Sequence, residues 1–257
     1  MKVTFLGSGT SQGVPVIACD CNVCASLDSR DKRLRSSIML SHNDKNYVID
    51  CGPDFRQQML ANKVNNLNAI LFTHEHKDHL AGLDDVRAYN YREKKEMEVF
   101  CSNRVEEAIR MEYHYIFAEK KYPGAPSIHF NRINAVSPFN IDPEVKVTPI
   151  EVMHHKLPVL GFRFGDFSYI TDAKTISTAE RNKIRGSKIL VVNALRKSEH
   201  VSHFNLEEAL SFIEDISPEK AYLTHISHLF GTHEEIKALL PANVDVAHDG
   251  LTLQINI

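Results

Sequence analysis

The stretch Thr73-His74-Glu75-His76-Lys77-Asp78-His79 puts three imidazoles and one aspartate carboxylate, all potential metal ligands, within six residues. It follows the apolar run "NAILF", which reads as a strand. In extended backbone, residues two apart project from the same face, so His74 and His76 can chelate one cation from a single strand end. Asp78 and His79 then fall where the chain turns into the helical pattern "LAGLDDVRAY", placed to face a second cation nearby. Imidazole combined with carboxylate suits Zn²⁺, Mn²⁺ or Fe²⁺ rather than Ca²⁺. A polar turn that is merely rich in histidine is the competing reading, and the density of ligands weighs against it.

A second cluster lies near the start of the chain in "CDCNVC", where Cys19, Cys21 and Cys24 bring three thiols together. A closed structural zinc site takes four ligands, so this pattern needs a partner from elsewhere. The total of five cysteines is odd, and in a reducing compartment such crowding favours metal over disulfides. Cys51 and Cys101 read as inert buried thiols.

The elements that must position these groups alternate along the chain. Short runs rich in β-formers, such as "KVTFLG", "NYVIDC", "VKVTPIEV" and "KILVVNAL", are interspersed with helical patterns such as "STAERNKIR" and "NLEEALSFIEDI". Strands outnumber helices and several adjoin as hairpins, the last being "AHDGLTL", with Asp249-Gly250 as its tight turn. This suits a sheet-on-sheet sandwich with helices on the outer faces. With 257 residues and no linker rich in Pro, Gly and Ser, the expectation is a single domain over 1–257. The stretch "EKKYPGAPSIHFNRINAVSPFN" reads as a long surface loop, and the region Tyr115 to Asn134 as one that shapes a pocket, with His114 and His129 in or beside it.

Composition excludes several classes. The net charge of −3 gives no electrostatic footprint for general nucleic-acid binding, and "RDKRLR" (Arg30 to Arg35) reads as solvated surface. No apolar run approaches a membrane span, and "MKVTFLGSGT" lacks a signal-peptide core, so a cytoplasmic protein is expected. The opening "TFLGSGTSQGVP" matches neither a P-loop nor G-x-G-x-x-G and reads as a connection toward the cysteines.

"FTHEHKDHLAG" resembles the HxHxDH signature of the metallo-β-lactamase superfamily. The other motifs of that family follow in order: "NYVIDCGPD", "VMHHKLPVLGFRF", "YITDAK" and "AYLTHISH". The resemblance implies an α/β fold, the four-layer αββα sandwich, with a dinuclear metal site at one sheet edge. It assigns His74, His76 and a histidine of the 154–155 pair, preferably His154, to one metal. Asp78, His79 and His225 go to the second, with Asp172 bridging and Asp50 as a buried supporting acid. The catalytic ions would be manganese, zinc or iron.

A subgroup, the phosphoribosyl cyclic phosphate phosphodiesterases of PhnP type, also carries a structural zinc. Its ligands map onto Cys19, Cys21, Cys24 and His228, making a clip of the loop at about 18–25. Such a clip would tie that loop to the one presenting His225.

Water activated at a two-metal centre suits phosphodiester, thioester or lactam hydrolysis. An alkoxide leaving phosphorus needs a proton donor, whereas a thiolate hardly does. The phosphodiesterase branches place a general-acid histidine where "SEHVSHFNLEEAL" carries His203; its neighbour His200 reads as surface. Asp78 is the candidate to take a proton from the attacking water. Lys156, Arg56 and Arg163 are candidates to meet substrate phosphate.

The expected activity is therefore hydrolysis of small, cyclic phosphodiesters by a metal-dependent phosphodiesterase. A homodimer is compatible with it. The rivals are a tRNase Z-like nuclease, a thioesterase or lactonase, and a non-catalytic binding protein. Against the nuclease, the interval from His154 to Asp172 is too short for a tRNA-gripping arm, Tyr169 stands where that branch has a glutamate, and the charge disfavours extended nucleic acid. Against the binding protein, no ligand of the series is missing.

Overall fold

Most strands are apolar on both faces, which requires that each sheet be covered on both sides. The computed structural model describes residues 1–257 and meets this requirement with two seven-stranded sheets. The first contains β1 (Lys2–Gly7), β2 (Ser37–His42), β3 (Lys45–Ile49), β4 (Ala69–Leu71), β5 (Met97–Cys101) and β6 (Ile128–Arg132). The second contains β7 (Phe139–Asp142), β8 (Val145–His154), β9 (Leu157–Phe164), β10 (Phe167–Tyr169), β11 (Ile189–Asn193), β12 (Lys220–Thr224) and β13 (Val244–Val246). The last strand, β14 (Thr252–Gln254), returns to the first sheet beside β1.

The helices are α1 (Asn22–Ala25), α2 (Phe55–Ala61), α3 (Lys77–Leu80), α4 (Arg87–Glu93), α5 (Asn103–Glu112), α6 (Thr178–Ile184), α7 (Leu206–Ile216) and α8 (His233–Lys237). Three apolar clusters then define four layers. Phe5, Leu40, Tyr47, Phe162, Phe164 and Val191 interdigitate between the sheets. Phe55 and Met59 of α2, Tyr89 of α4 and Ile109 of α5 pack on the outside of the first sheet. Ile184 of α6, Phe212 and Ile213 of α7 and Ile236 of α8 cover the second. This is the expected αββα sandwich.

Several local expectations need correction. The stretch expected to be loop holds β6 and most of the run into β7, the edge strands of the two sheets. Pro, Gly and Asn around them masked a weak alternation, and sheet pairing supplied what the local pattern lacked. The helical pattern after His79 breaks into α3, a 3₁₀ turn at Leu83–Val86 and α4. The hairpin read in "AHDGLTL" does not form. β13 pairs in parallel with β12 in one sheet and β14 with β1 in the other, so the Asp249-Gly250 turn carries the chain between sheets.

The "RDKRLR" run is not a solvated face either. Arg33 is 3% exposed, Arg35 pairs with Asp54 at 2.9 Å, Arg30 with Asp28 and Glu234, and Lys32 donates to the Cys24 carbonyl. Charged side chains can be buried when each finds a partner, which composition alone does not reveal.

Strand direction collects the chemistry at one edge. β3 and β4 run parallel, as do β10, β11 and β12, and β8 runs with β10 because β9 opposes both. The carboxyl ends of all these strands therefore open on the same side, and Leu160 of one sheet donates to the Thr73 carbonyl of the other at 3.0 Å. Gly52 lets the chain after Asp50 pass against this edge, since a Cβ there would overlap the Asp78 carbonyl oxygen. Gly52→Ala should lose about 1–3 kcal/mol of stability, read from the urea unfolding midpoint; an unchanged midpoint would contradict this close approach.

Candidate metal centre

Asp50 sits directly after β3, fully buried and at a positive φ of 63°. One oxygen accepts from the Thr73 N–H at 2.8 Å, and the other accepts from the Thr73 hydroxyl at 2.8 Å and lies 2.7 Å from His79 Nδ1. Burial pushes this carboxyl up, and His79 pulls it back. A carboxylate on Nδ1 fixes the imidazole tautomer and leaves Nε2 as a lone-pair donor toward the site.

That Nε2 faces two carboxylates, Asp78 at 3.1 Å and Asp172 at 3.2 Å. His225 Nδ1 lies 3.4 Å from the same Asp172 oxygen. His74 and His76 stand edge to face with ring centroids 4.6 Å apart, and His154 faces His76 at 5.2 Å. His154 Nδ1 is 2.8 Å from the Ser202 carbonyl, so Nδ1 carries the proton and Nε2 is left free. His155 is exposed at a positive φ in the turn beyond. Of the pair, His154 is therefore the one whose ring lies beside His76.

The buried atoms His74 Nε2, His79 Nε2, His203 Nδ1 and His225 Nδ1 have no hydrogen-bond partner. Burial pushes His74 and His225 down, toward neutral imidazoles with free lone pairs. Burial works against the ionised Asp172, yet His225 and His79 hold its carboxyl well below the usual range. His79 is pushed up against its own burial by Asp78, Asp172 and Asp50. Buried carboxylate oxygens and imidazole nitrogens 3.1–3.4 Å apart have the spacing of a coordination sphere about 2.1 Å in radius. The donor set fits divalent cations.

His203, the candidate acid, is 8% exposed, with Nδ1 3.7 Å from Asp172 and its ring stacked on His225 at 4.8 Å. Burial, assisted by His225, pushes it down to about 3. His200 is not plain surface: it is half-buried, 5.1 Å from the His203 ring, with Nδ1 accepting from the Ser202 N–H.

The three thiols converge as well. Cys19, Cys21 and Cys24 sulfurs lie 3.3, 3.5 and 3.5 Å from His228 Nδ1. A tetrahedral zinc with ordinary Zn–S and Zn–N bonds puts sulfur and nitrogen about 3.6 Å apart, so this group too has the shape of its expected ion. The Cys24 N–H and His228 hold the Cys21 thiol down to about 6, while burial raises Cys24 to about 11. Cys51 and Cys101 are fully buried elsewhere and their thiols are pushed up by that burial.

Of the phosphate candidates, only Lys156 reaches the site. It lines a cavity of 440 Å³ with His76, Arg104, His154, Val201 and Ser202. Arg56 lines a different, 590 Å³ cavity between α2 and α4, and Arg163 donates to the carbonyls of Gly165, Lys183 and Arg185. The Tyr115–Asn134 region contributes no wall to the cavity beside the histidines, and His114 and His129 are exposed away from it. Its edge-strand role explains why. Sequence reading missed Arg104, which pairs with Glu75 at the rim, and Asn193, whose side-chain oxygen accepts from the Ala173 N–H at 2.7 Å, steadying Asp172. Neither stands in a motif.

The fold and this site define a metallo-hydrolase, and the chain belongs to the β-lactamase superfamily, whose domain matches residues 45–226. Within it, the structure superposes with a TM-score of 0.92 on a diphosphatase from the PhnP family, at 36% identity, covering 100% of this chain and 98% of that one. Zn²⁺-bound PqqB from Methylobacterium extorquens shares the fold at a TM-score of 0.79 and 20% identity, covering 99% of this chain and 100% of its own. An octanoyltransferase of Porphyromonas gingivalis is 38% identical over 98% of this chain, which spans about half (51%) of that protein. No helix is long and apolar enough to cross a membrane.

Metal analysis offers the direct check on the clip. Cys24→Ser should hold a single zinc fewer per chain than the unaltered protein, with the histidine cluster still loaded. Equal zinc in both proteins would contradict the thiol site.

Proposed function

We propose that this chain is a metal-dependent phosphodiesterase of small, cyclic phosphodiesters, working as a single domain over residues 1–257. One observation carries the reading: four sealed imidazole nitrogens without partners converge near Asp172, with His203 among them. His74, His76 and His154 would hold one divalent ion, Asp78, His79 and His225 the other, and Asp172 would lie between them. Cys19, Cys21, Cys24 and His228 would hold a structural zinc. When bound, the ion pair supplies Lewis acidity, lowering the pKa of a water and offsetting charge on phosphoryl oxygens; zinc, manganese and iron all suit the donors.

The protein's own residues do the rest. Asp50 and the Ser202 carbonyl hold the Nδ1 protons of His79 and His154, which fixes where the lone pairs aim. Asp78 is 12% exposed and keeps a carboxylate at the site edge, where it can take a proton from the attacking water. His203 Nδ1 is sealed against Asp172, so Nε2 is the nitrogen that can serve the leaving oxygen. Burial, assisted by His225, keeps its imidazole neutral at pH 7. An anionic phosphodiester arriving beside it raises its proton affinity, so His203 becomes an acid only with substrate in place.

A small substrate is favoured over a long RNA. The chain between His154 and Asp172 is two strands, β9 and β10, joined by tight turns, with no projecting arm. The net charge of −3 offers little to a polyphosphate.

Purified protein loaded with Mn²⁺ should turn over bis-p-nitrophenyl phosphate, and loaded protein without turnover would refute the reading. His203→Ala should cut kcat about 10²–10⁴-fold on an ester with an alkyl leaving group. It should change little with p-nitrophenolate, which leaves unaided. Equal losses on both esters would remove the acid role, and near-full activity on thioesters or lactones would favour that rival chemistry.

A further inference from the structure

Three sequence features are left without a role by the phosphodiesterase reading: the glycine-rich opening "GSGTSQG", the buried run around Arg33, and the Asp249-Gly250 turn between the sheets. They meet at one place. We propose that Asp249, through Ser8 and with Arg33, is a positioning residue for His225 and so sets the affinity of one of the two catalytic ions. This rests on the reading of His225 as a metal ligand.

His225 follows β12 at a φ of 58°, a left-handed conformation that a non-glycine residue keeps only when its surroundings hold it there. The holding contacts fall on the next two residues. The Ile226 N–H donates to the Ser8 carbonyl at 2.9 Å, and the Thr10 N–H donates to the Ile226 carbonyl at 3.1 Å. On the other side, the Ser227 N–H and hydroxyl donate to the Leu195 carbonyl at 3.1 and 2.9 Å. The Ser8–Thr10 loop is therefore one jaw of a clamp on the segment that presents His225.

A glycine-rich loop does not hold a fixed shape by itself. Here Asp249 supplies the shape. One of its oxygens accepts from the Ser8 N–H at 2.9 Å and the Ser8 hydroxyl at 2.8 Å, and the other accepts from the Leu34 N–H at 2.7 Å. Arg33 completes the ring, donating to the Ser8 hydroxyl oxygen at 2.9 Å and to the Ala247 carbonyl at 2.5 Å. Ser8 is fully buried and Arg33 nearly so. Between Ser8 and Thr10, a Cβ on Gly9 would press on the Arg33 carbonyl oxygen at 2.9 Å, so the loop lies flush against the strip that Arg33 anchors.

The same strip reaches the clip. Arg33 exchanges both backbone hydrogen bonds with Val14, and Asp31 accepts from the Ser26 hydroxyl and the His233 N–H, each at 2.6 Å. Segment 225–228 is thus held at His228 by the thiol site and at Ile226 by the Asp249 ring. With Ser227 tied to the Leu195 carbonyl between them, these contacts restrain the left-handed His225 from the residues that follow it.

The test separates the two ions. Zn²⁺ affinities of the full chain are measured by competition with a chromophoric chelator, and Co²⁺ loading reports the clip through its thiolate–cobalt absorption. His225→Ala marks which catalytic ion depends on His225. Asp249→Asn should weaken that same ion about 10–100-fold, as loss of a ligand's support does, with the other ion and the cobalt–thiolate band unchanged. Ser8→Ala should weaken the same ion less, and it decides the matter alone if Asp249→Asn does not fold. Unchanged affinities, or equal loss of both ions and the clip, would overturn this inference while leaving the proposed function standing. Unaltered protein that binds fewer than two ions at the histidine cluster would overturn both.

Discussion

The structure is organised around an electrostatic demand. Three carboxylates, Asp50, Asp78 and Asp172, and the imidazoles of His74, His79, His203 and His225 are buried or nearly so within a few ångströms of one another. Burying such groups without compensation is strongly unfavourable. Part of the compensation is internal, since His79 is drawn toward its charged form by all three acids. The nitrogens that remain sealed and unpartnered need positive charge from outside the chain, and divalent cations supply it at the spacing observed.

Everything around the cluster serves to hold it against its own strain. Asp50 and His225 adopt positive φ directly after strand ends, and Asp172 does so three residues beyond β10. Such conformations persist when neighbouring contacts over-determine them. For Asp50 the contacts are Thr73 and His79; for Asp172, the Asn193 side chain that brackets Ala173 from both sides. For His225 they are the backbone clamp and the thiol clip. A sandwich this size has ample core to fold without an extra metal, so the clip is better understood as fixing a ligand than as stabilising the bulk.

What could be read from sequence follows the range of the interactions. His74, His76, Asp78 and His79 were legible because strand and turn periodicity act over a few residues. The α7 boundary was legible too, because Asn205 and Glu208 form a capping box. His154, Asp172, His225 and His228 lie far apart in the chain, and only their order within a family pattern brought them together. Local pattern failed where tertiary pairing decides. β6 and β7 are edge strands in unpromising sequence, and "AHDGLTL" looks like a hairpin although its halves belong to different sheets. Arg33 was misjudged because a charged run gives no sign of a buried partner such as Ser8. Arg104 and Asn193 act by contact alone, with no spacing signature.

Anomalous diffraction from crystals of the metal-loaded protein, recorded at the zinc and manganese edges, tests the central claim most directly. The geometry predicts two peaks about 3.5–4 Å apart on either side of Asp172, and a separate zinc peak enclosed by Cys19, Cys21, Cys24 and His228. A cluster that binds no ion beside Asp172, or an ion coordinated without His225 and His79, would contradict it.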